Sequence, residues 1–368
     1  MSAKLRNINE QVIVITGASS GIGLTTARMA AEQGAKLVLA ARNGEALDQL
    51  ASELRRQGSQ VATVTADVGD AADVERIGQT AIERYGRIDT WVNNAGVGTF
   101  GRLEEISLED HQRLFQTNFW GVVNGSLEAV KRMKQRGGGA LINVGSEVSD
   151  APVPLQGMYS ASKHAVKAFT DSLRMELQKE EAPISVTLIK PAAIDTMFAV
   201  HAKNYMEKEA VLPPPVYAPE IVAKAILHCA AQPKREVFVG GASKFISASR
   251  ARMPRLIDRY VQATMFSQQK SKFDKQPGRP DALHSPDPTH ALRERQGMTE
   301  RSVKETSAYT TLSLNSKPLL TALLGGGALF AAWKLAGPRL AGPRLAAPRL
   351  AGPRLAQPQM ARRRLGRA

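Results

Sequence analysis

The sequence predicts an α/β domain with a doubly wound parallel sheet. Short runs of β-branched and other apolar residues alternate with helical stretches as far as about residue 240, as expected for parallel strands joined by crossover helices. A glycine-rich turn joins the first run to the first helical stretch. About 250 residues are enough for one such domain with a large core. The remainder of the 368 residues is expected to form an extended C-terminal appendage.

The first strand and the turn after it are typical of a Rossmann-type dinucleotide site. A β-branched run, Val12-Ile13-Val14-Ile15, predicts a buried strand, and a helical pattern follows at about 24–33. Glycines in the intervening turn permit a tight bend and a close approach to a pyrophosphate, and the helix N-terminus offers free N–H groups. The predicted contacts are Gly17, Ser19, Ser20, Gly21 and Ile22. A turn that binds nothing is the alternative.

The second strand, Lys36–Ala41, ends at Arg42. An NAD site needs an acidic residue there for the ribose 2′-hydroxyl, whereas an arginine can bind a 2′-phosphate with two hydrogen bonds. The sequence therefore favours NADP(H). A surface arginine that points to water is the alternative.

Tyr159 and Lys163 are four residues apart, which places them on one face of a helix. A free phenol titrates near pH ~10, and a neighbouring ammonium lowers that pKa by favouring the phenolate. The pair is a candidate acid/base for moving a proton to or from a carbonyl oxygen. Chance placement on a solvated helix is the alternative for the spacing alone.

Taken together, these motifs show that residues 8 to 245 resemble the short-chain dehydrogenase/reductase family. The loop Thr16-Gly17 to Ile22-Gly23 matches its T-G-x-x-x-G-I-G, and the pair above matches its Y-x-x-x-K. Ser146 stands thirteen residues before the tyrosine, the spacing of the family's serine. Further matches are Asn118 in Thr-Asn-Phe-Trp-Gly, Asp67-Val68 at the third strand, and Asn93-Asn94-Ala95-Gly96.

The resemblance implies a role for each matched residue. Tyr159 exchanges the proton, Lys163 lowers its pKa and holds the nicotinamide ribose, and Ser146 orients the substrate oxygen. Asn118 holds a water that links the lysine to solvent. Asp67 and Val68 contact adenine, while Asn94, Ala95 and Gly96 lie along the cofactor, with a structural role favoured for Asn94. Ser149 is a rival for Ser146, but its spacing to the tyrosine does not fit.

One departure from the family pattern follows the strand at 184–190. The family reads Pro-Gly where this chain has Pro191-Ala192, and alanine does not take a positive φ cheaply. The turn is therefore expected to have a different shape. Thr196 still stands where the family's threonine bonds the carboxamide, so Pro191 and Thr196 complete the predicted cofactor contacts.

Residues 192–217 occupy the position of the family's substrate lid. The segment holds Met197, Phe198, Tyr205 and Met206 and then three prolines, which suits an apolar, adaptable pocket wall. A lid that only packs on the sheet is the alternative. The six histidines show no metal-ligand spacing and Cys229 is the only cysteine, so no metal and no intrachain disulfide are predicted.

Four regions are expected. Residues 1–250 form the catalytic domain, 251–317 a polar linker of low order with a helical piece at 254–266, 318–337 an apolar membrane-associating segment, and 338–368 a basic Pro/Arg tail with a five-residue repeat. The apolar run at 318–333 is shorter than a bilayer core requires, so a flat-lying or re-entrant segment is favoured over a single span. A packing arm for another subunit is the alternative.

The charge of the chain is concentrated in its tail. Residues 334–368 hold nine Lys/Arg and no acid, which leaves +6 of the net +15 for the rest. Such a tail suits an anionic membrane surface, with non-specific nucleic-acid binding as the alternative and a specific nucleic-acid site disfavoured. The expected location is therefore cytoplasmic and membrane-associated through 318–368.

These observations predict an oxidoreductase that moves a hydride between NADP(H) and a carbonyl or secondary alcohol, with a lipophilic substrate favoured by the membrane address. The resemblance also implies a homo-oligomer, either a dimer or a tetramer. A Rossmann sensor or scaffold that binds NADP(H) without turnover is the alternative. Such a sensor has no need of the proton relay formed by Asn118, Ser146, Tyr159 and Lys163.

Overall fold

The computed structural model describes residues 4–287, 289–297 and 301–315. The strands are β1 (Val12–Thr16), β2 (Lys36–Ala41), β3 (Val61–Thr65), β4 (Thr90–Asn93), β5 (Thr99–Phe100), β6 (Gly139–Val144), β7 (Ile184–Pro191), β8 (Ala193–Ile194), β9 (Lys203–Asn204), β10 (Lys208–Ala210), β11 (Val216–Tyr217), β12 (Glu236–Val239), β13 (Lys270–Asp274) and β14 (Val303–Lys304). The α-helices are α1 (Gly21–Glu32), α2 (Gly44–Arg56), α3 (Ala71–Tyr85), α4 (Leu108–Phe115), α5 (Gly121–Gln135), α6 (Gly157–Lys179), α7 (Phe198–His201), α8 (Pro219–Ala231), α9 (Gly241–Arg252), α10 (Pro254–Gln268) and α11 (Ala308–Asn315).

Seven parallel strands form the central sheet in the order β12-β7-β6-β4-β1-β2-β3. The predicted doubly wound α/β fold is therefore confirmed. Strand order reverses between β1 and β4, and the crevice outside the carboxyl ends of the strands at such a reversal is where ligands bind in this architecture.

The side chains of β1 alternate between two core layers, one on each face of the sheet. Ile13 and Ile15 pack with α1, α2 and α8 on one face of the sheet, and Val14 packs with α3, α5 and α6 on the other. Successive side chains of a strand point to opposite faces, so an unbroken apolar run fits a strand covered on both sides. This two-sided burial fixes β1 in the middle of the sheet and holds the turn after it at the crevice.

The described residues of 251–317 form helices and strands, unlike the expected linker of low order. Helix α10 begins at Pro254 as the sequence predicted, and β13 pairs antiparallel with β10 of the lid. Strand β14 pairs with β11, and α11 packs against α8 and β12. The correction has a physical reason: this polar stretch is held by backbone pairing and ion pairs such as Arg295 with Glu220 rather than by a long apolar run that a sequence pattern would reveal.

The regions 318–337 and 338–368 lie outside the described residues. Within the described part of the chain, no helix combines the length and apolar character needed to cross a membrane. The described residues belong to one compact unit that ends at Ser316.

We expect a chain that ends after Ser267 to have a melting temperature about 10 °C below that of a chain that ends after Asn315. The shorter chain loses β13, β14 and α11 together with the buried side chain of Leu283. Differential scanning calorimetry of both truncations beside the full chain measures the effect. Equal melting temperatures for the two truncations would show that residues 268–315 add nothing to the fold.

Candidate active site

A cavity of about 750 Å³ lies at the carboxyl edge of the sheet. It runs from the glycine-rich turn and the end of β2 to the start of α6, the lid and helix α10. The residues that the sequence singled out line this cavity, with the exception of Asn118: Gly17, Ser19, Ser20, Gly21, Ile22, Arg42, Asp67, Val68, Asn94, Ala95, Gly96, Ser146, Tyr159, Lys163, Pro191 and Thr196.

The glycine-rich turn leaves no room for side chains on its inner face. Gly17 has a φ of +67°, and a Cβ there would lie 2.8 Å from the Cα of Ala95. A Cβ on Gly23 would lie 2.1 Å from the carbonyl oxygen of Gly17. The first turn of α1 can therefore pack directly on the loop, which presents its backbone to the cavity.

Thr16 and Asn94 join the glycine-rich turn to the end of β4. The Thr16 hydroxyl accepts hydrogen bonds from the N–H groups of Asn94 (3.1 Å) and Ala95 (3.2 Å). The Asn94 amide donates to the carbonyls of Thr16 (3.0 Å) and Gly17 (3.2 Å). These contacts agree with the structural role favoured for Asn94.

Arg42 and Asp67 lie at the far end of the cavity, and each already has protein partners. The Arg42 guanidinium donates to the main-chain carbonyls of Ala282, Leu283 and His284. Burial and the nearby Arg113 lower its pKa. Burial alone would raise the pKa of Asp67, but hydrogen bonds from Arg113 and from the Gly69 N–H outweigh it, and the pKa is lowered.

Helix α6 brings Tyr159 and Lys163 into the same part of the cavity. Its inner face is small or apolar and includes Ser162 and Val166, both fully buried, which seats this face against the sheet. The Lys163 ammonium donates to the Val144 carbonyl at 2.9 Å and lies 5.7 Å from the centroid of the Tyr159 ring. The predicted spacing therefore places both groups together at the end of β6.

Burial changes the pKa values of this pair in opposite directions. It raises the pKa of Tyr159 to about 12, and the Ser146 hydroxyl only partly opposes that rise. It lowers the pKa of Lys163 to about 8. The sequence predicted a lowered tyrosine pKa; the structure gives a raised one, because burial of the phenol has the largest effect on it. Loss of the Tyr159 proton is therefore disfavoured more strongly than in a free phenol, whose pKa is ~10.

Ser146 lies at the N-terminus of the short 3-10 helix Glu147–Ser149. Its hydroxyl accepts from the Val148 N–H at 3.3 Å, and its own N–H donates to the Ser149 hydroxyl at 3.1 Å. Ser149 is fully buried and holds the backbone of Ser146. This geometry places Ser146 beside Tyr159 and gives Ser149, its rival, a supporting contact.

Asn118 is buried behind the cavity in a π-helical turn, Gln116–Trp120, that separates α4 from α5. Its side-chain oxygen accepts from the Val97 N–H (2.8 Å), and its amide donates to the Val97 carbonyl (2.9 Å) and to Ser162 (3.2 Å). Single π turns often mark functional sites. Here the turn directs the Asn118 side chain toward Gly96. A Cβ built on Gly96 would be close to the Asn118 side-chain oxygen and would lie 3.9 Å from the Lys163 ammonium nitrogen.

The turn after β7 accommodates the departure from the family's Pro-Gly. Ala192 is not among the described residues with positive φ, and its N–H donates to the Val239 carbonyl at 2.9 Å. Ala192 therefore has an ordinary backbone conformation at the position where the family has glycine. Thr196 packs against the glycine-rich turn. The contact is close, since a Cβ built on Gly21 would lie 3.1 Å from the Thr196 Cβ.

Apolar side chains from the lid and the α9–α10 hairpin enclose the other end of the cavity. Part of the lid forms a pocket wall, since Met197 and Phe198 line the cavity. Another part only packs on the domain, since Met206 lies in a separate apolar core with Phe100. The Phe198 ring lies 5.0 Å from that of Tyr159. Other apolar residues of the lining include Val148, Val153, Leu212, Phe245, Ile246, Leu256, Ile257, Tyr260, Val261 and Met265.

Two features of the cavity were not found from the sequence. Glu147 faces the cavity beside Ser146, and burial raises its pKa to about 7; its position next to the family's serine was the available signal. Ala282, Pro286, Asp287 and Ala291 also line the cavity, and no motif or periodicity marks them. In the described ranges, no group of three or more His, Cys, Asp or Glu could hold a metal ion.

A family model described as short chain dehydrogenase matches residues 11–207. This chain belongs to the short-chain dehydrogenase family. The family consists of oxidoreductases, and the chain is one of them. YxnA of Bacillus subtilis, described as an uncharacterized oxidoreductase, is 46% identical over 335 residues, which cover 90% of this chain and 92% of that protein. The dehydrogenase/reductase SDR family member 7B of Bos taurus is 36% identical over 208 residues, 55% of this chain and 62% of that protein.

Two solved structures have the same fold. A short chain dehydrogenase/reductase from Burkholderia phymatum in complex with NAD has a TM-score of 0.61 and 27% identity, and the match covers 69% of this chain and 96% of that one. An alcohol dehydrogenase from Thermococcus sibiricus complexed with 5-hydroxy-NADP has a TM-score of 0.54 and 31% identity, with 62% and 95% covered.

We expect the Tyr159 phenol to remain protonated at pH 10.5 in the absence of added nucleotide, because burial raises its pKa to about 12. Alkaline titration followed by tyrosinate absorbance, as a difference between the wild type and Tyr159→Phe, measures it. Far-UV circular dichroism controls for unfolding. A difference curve with its midpoint below pH ~10, the value of a free phenol, would contradict the structure and restore the lowered pKa expected from the sequence.

Proposed function

We propose that this chain is an NADP(H)-dependent reductase of lipophilic carbonyl compounds, or the corresponding alcohol dehydrogenase. The observation that carries the proposal is the convergence of Ser146, Tyr159 and Lys163 in a cavity whose far end holds Arg42 and whose near end is apolar. The two solved relatives carry NAD and 5-hydroxy-NADP, so they support a nicotinamide cofactor, while the preference for NADP(H) rests on Arg42.

The residues of the cavity fit a dinucleotide. The backbone of the glycine-rich turn is open to the cavity, because Gly17 and Gly21 line it and carry no side chain. Asp67 and Val68 line the end where an adenine would lie, and Pro191 and Thr196 line the opposite wall. A bound nicotinamide would supply the hydride, and the protein would hold it between the turn and Thr196.

The side chains around Tyr159 suit proton transfer to a carbonyl oxygen. A phenol with a pKa of about 12 is protonated at neutral pH and can donate. Ser146, which contacts the phenol, would hold the same carbonyl oxygen and stabilise its developing charge. The Lys163 ammonium, fixed on the Val144 carbonyl, would favour the phenolate left after the transfer. Asn118 would connect this lysine to solvent.

The apolar end of the cavity supports a lipophilic substrate. Its lining comes from the lid and from α10, and apolar pockets with few polar groups favour apolar ligands. Glu147 is the carboxyl group nearest to Ser146 in this lining. With a pKa of about 7, it can present a neutral acid or a carboxylate to a polar group of the substrate.

A second part of the proposal concerns membrane association and the oligomeric state. Association with an anionic membrane surface through 318–368, at the cytoplasmic face, rests on the composition of those residues. Assembly into a dimer or tetramer rests on the family to which the chain belongs. Both are tested by sedimentation, of the full chain with acidic vesicles and of the purified protein alone.

We expect Arg42→Asp to lower the affinity for NADPH ten- to hundredfold and to improve that for NADH, because a repelling carboxylate replaces the partner of a 2′-phosphate. Fluorescence titration with both nucleotides measures the change. Arg136→Asp, the same charge change at an exposed position, is the matched control. A wild type that binds NADH more tightly than NADPH would show that Arg42 has another role.

We expect the wild type to oxidise NADPH in the presence of hydrophobic ketones or aldehydes, and Tyr159→Phe to lose several orders of magnitude in turnover with little change in nucleotide affinity. Lys163→Ala should lower both the turnover and the nucleotide affinity. A panel of carbonyl compounds in detergent, followed by NADPH absorbance, tests this. If no compound is reduced although NADPH binds, the alternative of a sensor without turnover is favoured.

A further inference from the structure

The C-terminal part of the compact unit crosses the nucleotide cavity. Residues 279–287 and 289–295, which we call the strap, run from the lid across the end of β2 to the glycine-rich turn. The family model ends at residue 207, so the strap lies beyond the part of the chain that defines the family. Ala282, Pro286, Asp287 and Ala291 from the strap line the cavity.

The strap binds the arginine that favours NADP(H). Arg42 donates from one terminal nitrogen to the carbonyls of Leu283 (3.0 Å) and His284 (3.1 Å) and from the other to that of Ala282. Both terminal nitrogens of the guanidinium are therefore engaged by three neutral carbonyl groups. A 2′-phosphate would need the same nitrogens.

Two anchors hold this part of the strap in place. Leu283 is fully buried in a small apolar cluster with Val97 and Leu114, and its carbonyl also accepts from Arg113 at 3.1 Å. His284 contacts the buried carboxylate of Asp110 at 2.6 Å. The carbonyls that face Arg42 therefore belong to a segment that is held by the apolar cluster around Leu283 and by the contact of His284 with Asp110.

The strap also contacts the loop that would hold a pyrophosphate. The Leu292 N–H donates to the Ser19 carbonyl, and the Gly21 N–H donates to the Arg293 carbonyl, both at 2.9 Å. Leu292 has a φ of +57°, a left-handed conformation that costs a branched residue free energy. The ion pair of Glu294 with Arg28 at 2.6 Å helps to hold the chain there.

At its other end the strap is joined to the substrate lid. The Ala282 N–H donates to the His201 carbonyl at 2.8 Å. Arg279 pairs with Glu209 at 2.8 Å and donates to the Ala202 carbonyl at 3.2 Å. A movement of the chain at Ala282 would therefore act on both Arg42 and the lid.

We propose that the strap is a cofactor-specificity element: its carbonyls at 282–284 compete with a 2′-phosphate for Arg42, so a nucleotide with this phosphate releases that part of the strap and one without it does not. The inference rests on the proposed role of Arg42. Hydrogen bonds from a guanidinium to a phosphate are stronger than those to neutral carbonyls, so the phosphate takes the arginine. The anchors at Leu283 and His284 then lower the apparent affinity for NADP(H) but not that for NAD(H).

The first test measures binding to the full chain by calorimetry with two probes, adenosine 2′,5′-bisphosphate and AMP. We expect Leu283→Ala to tighten binding of the bisphosphate about tenfold and that of AMP by less than about threefold. The apparent affinity rises with the fraction of molecules in which Arg42 is free, and only the bisphosphate needs it free. Equal tightening of both probes, or of neither, would overturn the proposal.

A second anchor variant guards against local misfolding in Leu283→Ala. His284→Ala removes the contact with the Asp110 carboxylate and is expected to tighten bisphosphate binding about two- to threefold, with AMP unchanged. His228→Ala makes the same change on α8, outside the cavity lining, and is the matched control. An equal response of the two histidine variants would contradict the role of the strap.

Hydrogen exchange tests the release itself. In the wild type, amides in a peptide covering 279–287 should exchange faster with saturating bisphosphate than with saturating AMP, because only the phosphate displaces the strap from Arg42. Equal protection by both nucleotides would overturn the proposal.

Arg42→Ala separates this inference from the proposed function. If it weakens bisphosphate binding while the strap variants change nothing, the inference fails and the NADP(H) preference stands. If it leaves bisphosphate binding unchanged, the preference fails and the inference falls with it.

Discussion

The close packing of the first turn of α1 on the glycine-rich loop is the constraint on which the site depends. A Cβ on Gly23 would lie 2.1 Å from the Gly17 carbonyl and 2.6 Å from the Asn94 amide. Since backbone atoms cannot yield as a flexible side chain can, any larger residue there would push α1 away from the loop and from Asn94. The hydrogen bonds of Thr16 and Asn94 across these strands depend on the same approach, and so does the open backbone along the cavity.

From this junction the structure extends in two directions with different chemistry. Toward α6 the cavity is buried and apolar, and burial sets the pKa values: about 12 for Tyr159 and about 8 for Lys163. Toward β2 it holds the charged groups of Arg42, which donates to the Leu283 carbonyl, and of Asp67, which accepts from Arg113. The first environment suits proton transfer and the second suits a nucleotide phosphate. The strap connects the two because it joins the lid to Arg42.

Most of the catalytic domain could be predicted from the sequence because its signals are local. Parallel strands bring their carboxyl ends to one edge, so Gly17, Arg42, Ser146 and Tyr159 converge once the strands are identified. The strap could not be predicted, since it binds through main-chain carbonyls and N–H groups that every residue possesses. The direction of the tyrosine pKa was missed because it depends on burial, and burial is set by tertiary contacts such as that of Tyr159 with Phe198 of the distant lid.

Transfer of deuterium tests the central claim most directly. NADPH carrying deuterium at both positions of nicotinamide C4 would be incubated with the full chain and a hydrophobic ketone, and the alcohol analysed by mass spectrometry. The account predicts one deuterium on the carbinol carbon for each NADPH consumed, and loss of this transfer in Tyr159→Phe. An alcohol without the label, or no alcohol from any ketone although NADPH binds, would contradict the claim that this cavity performs hydride transfer to a carbonyl.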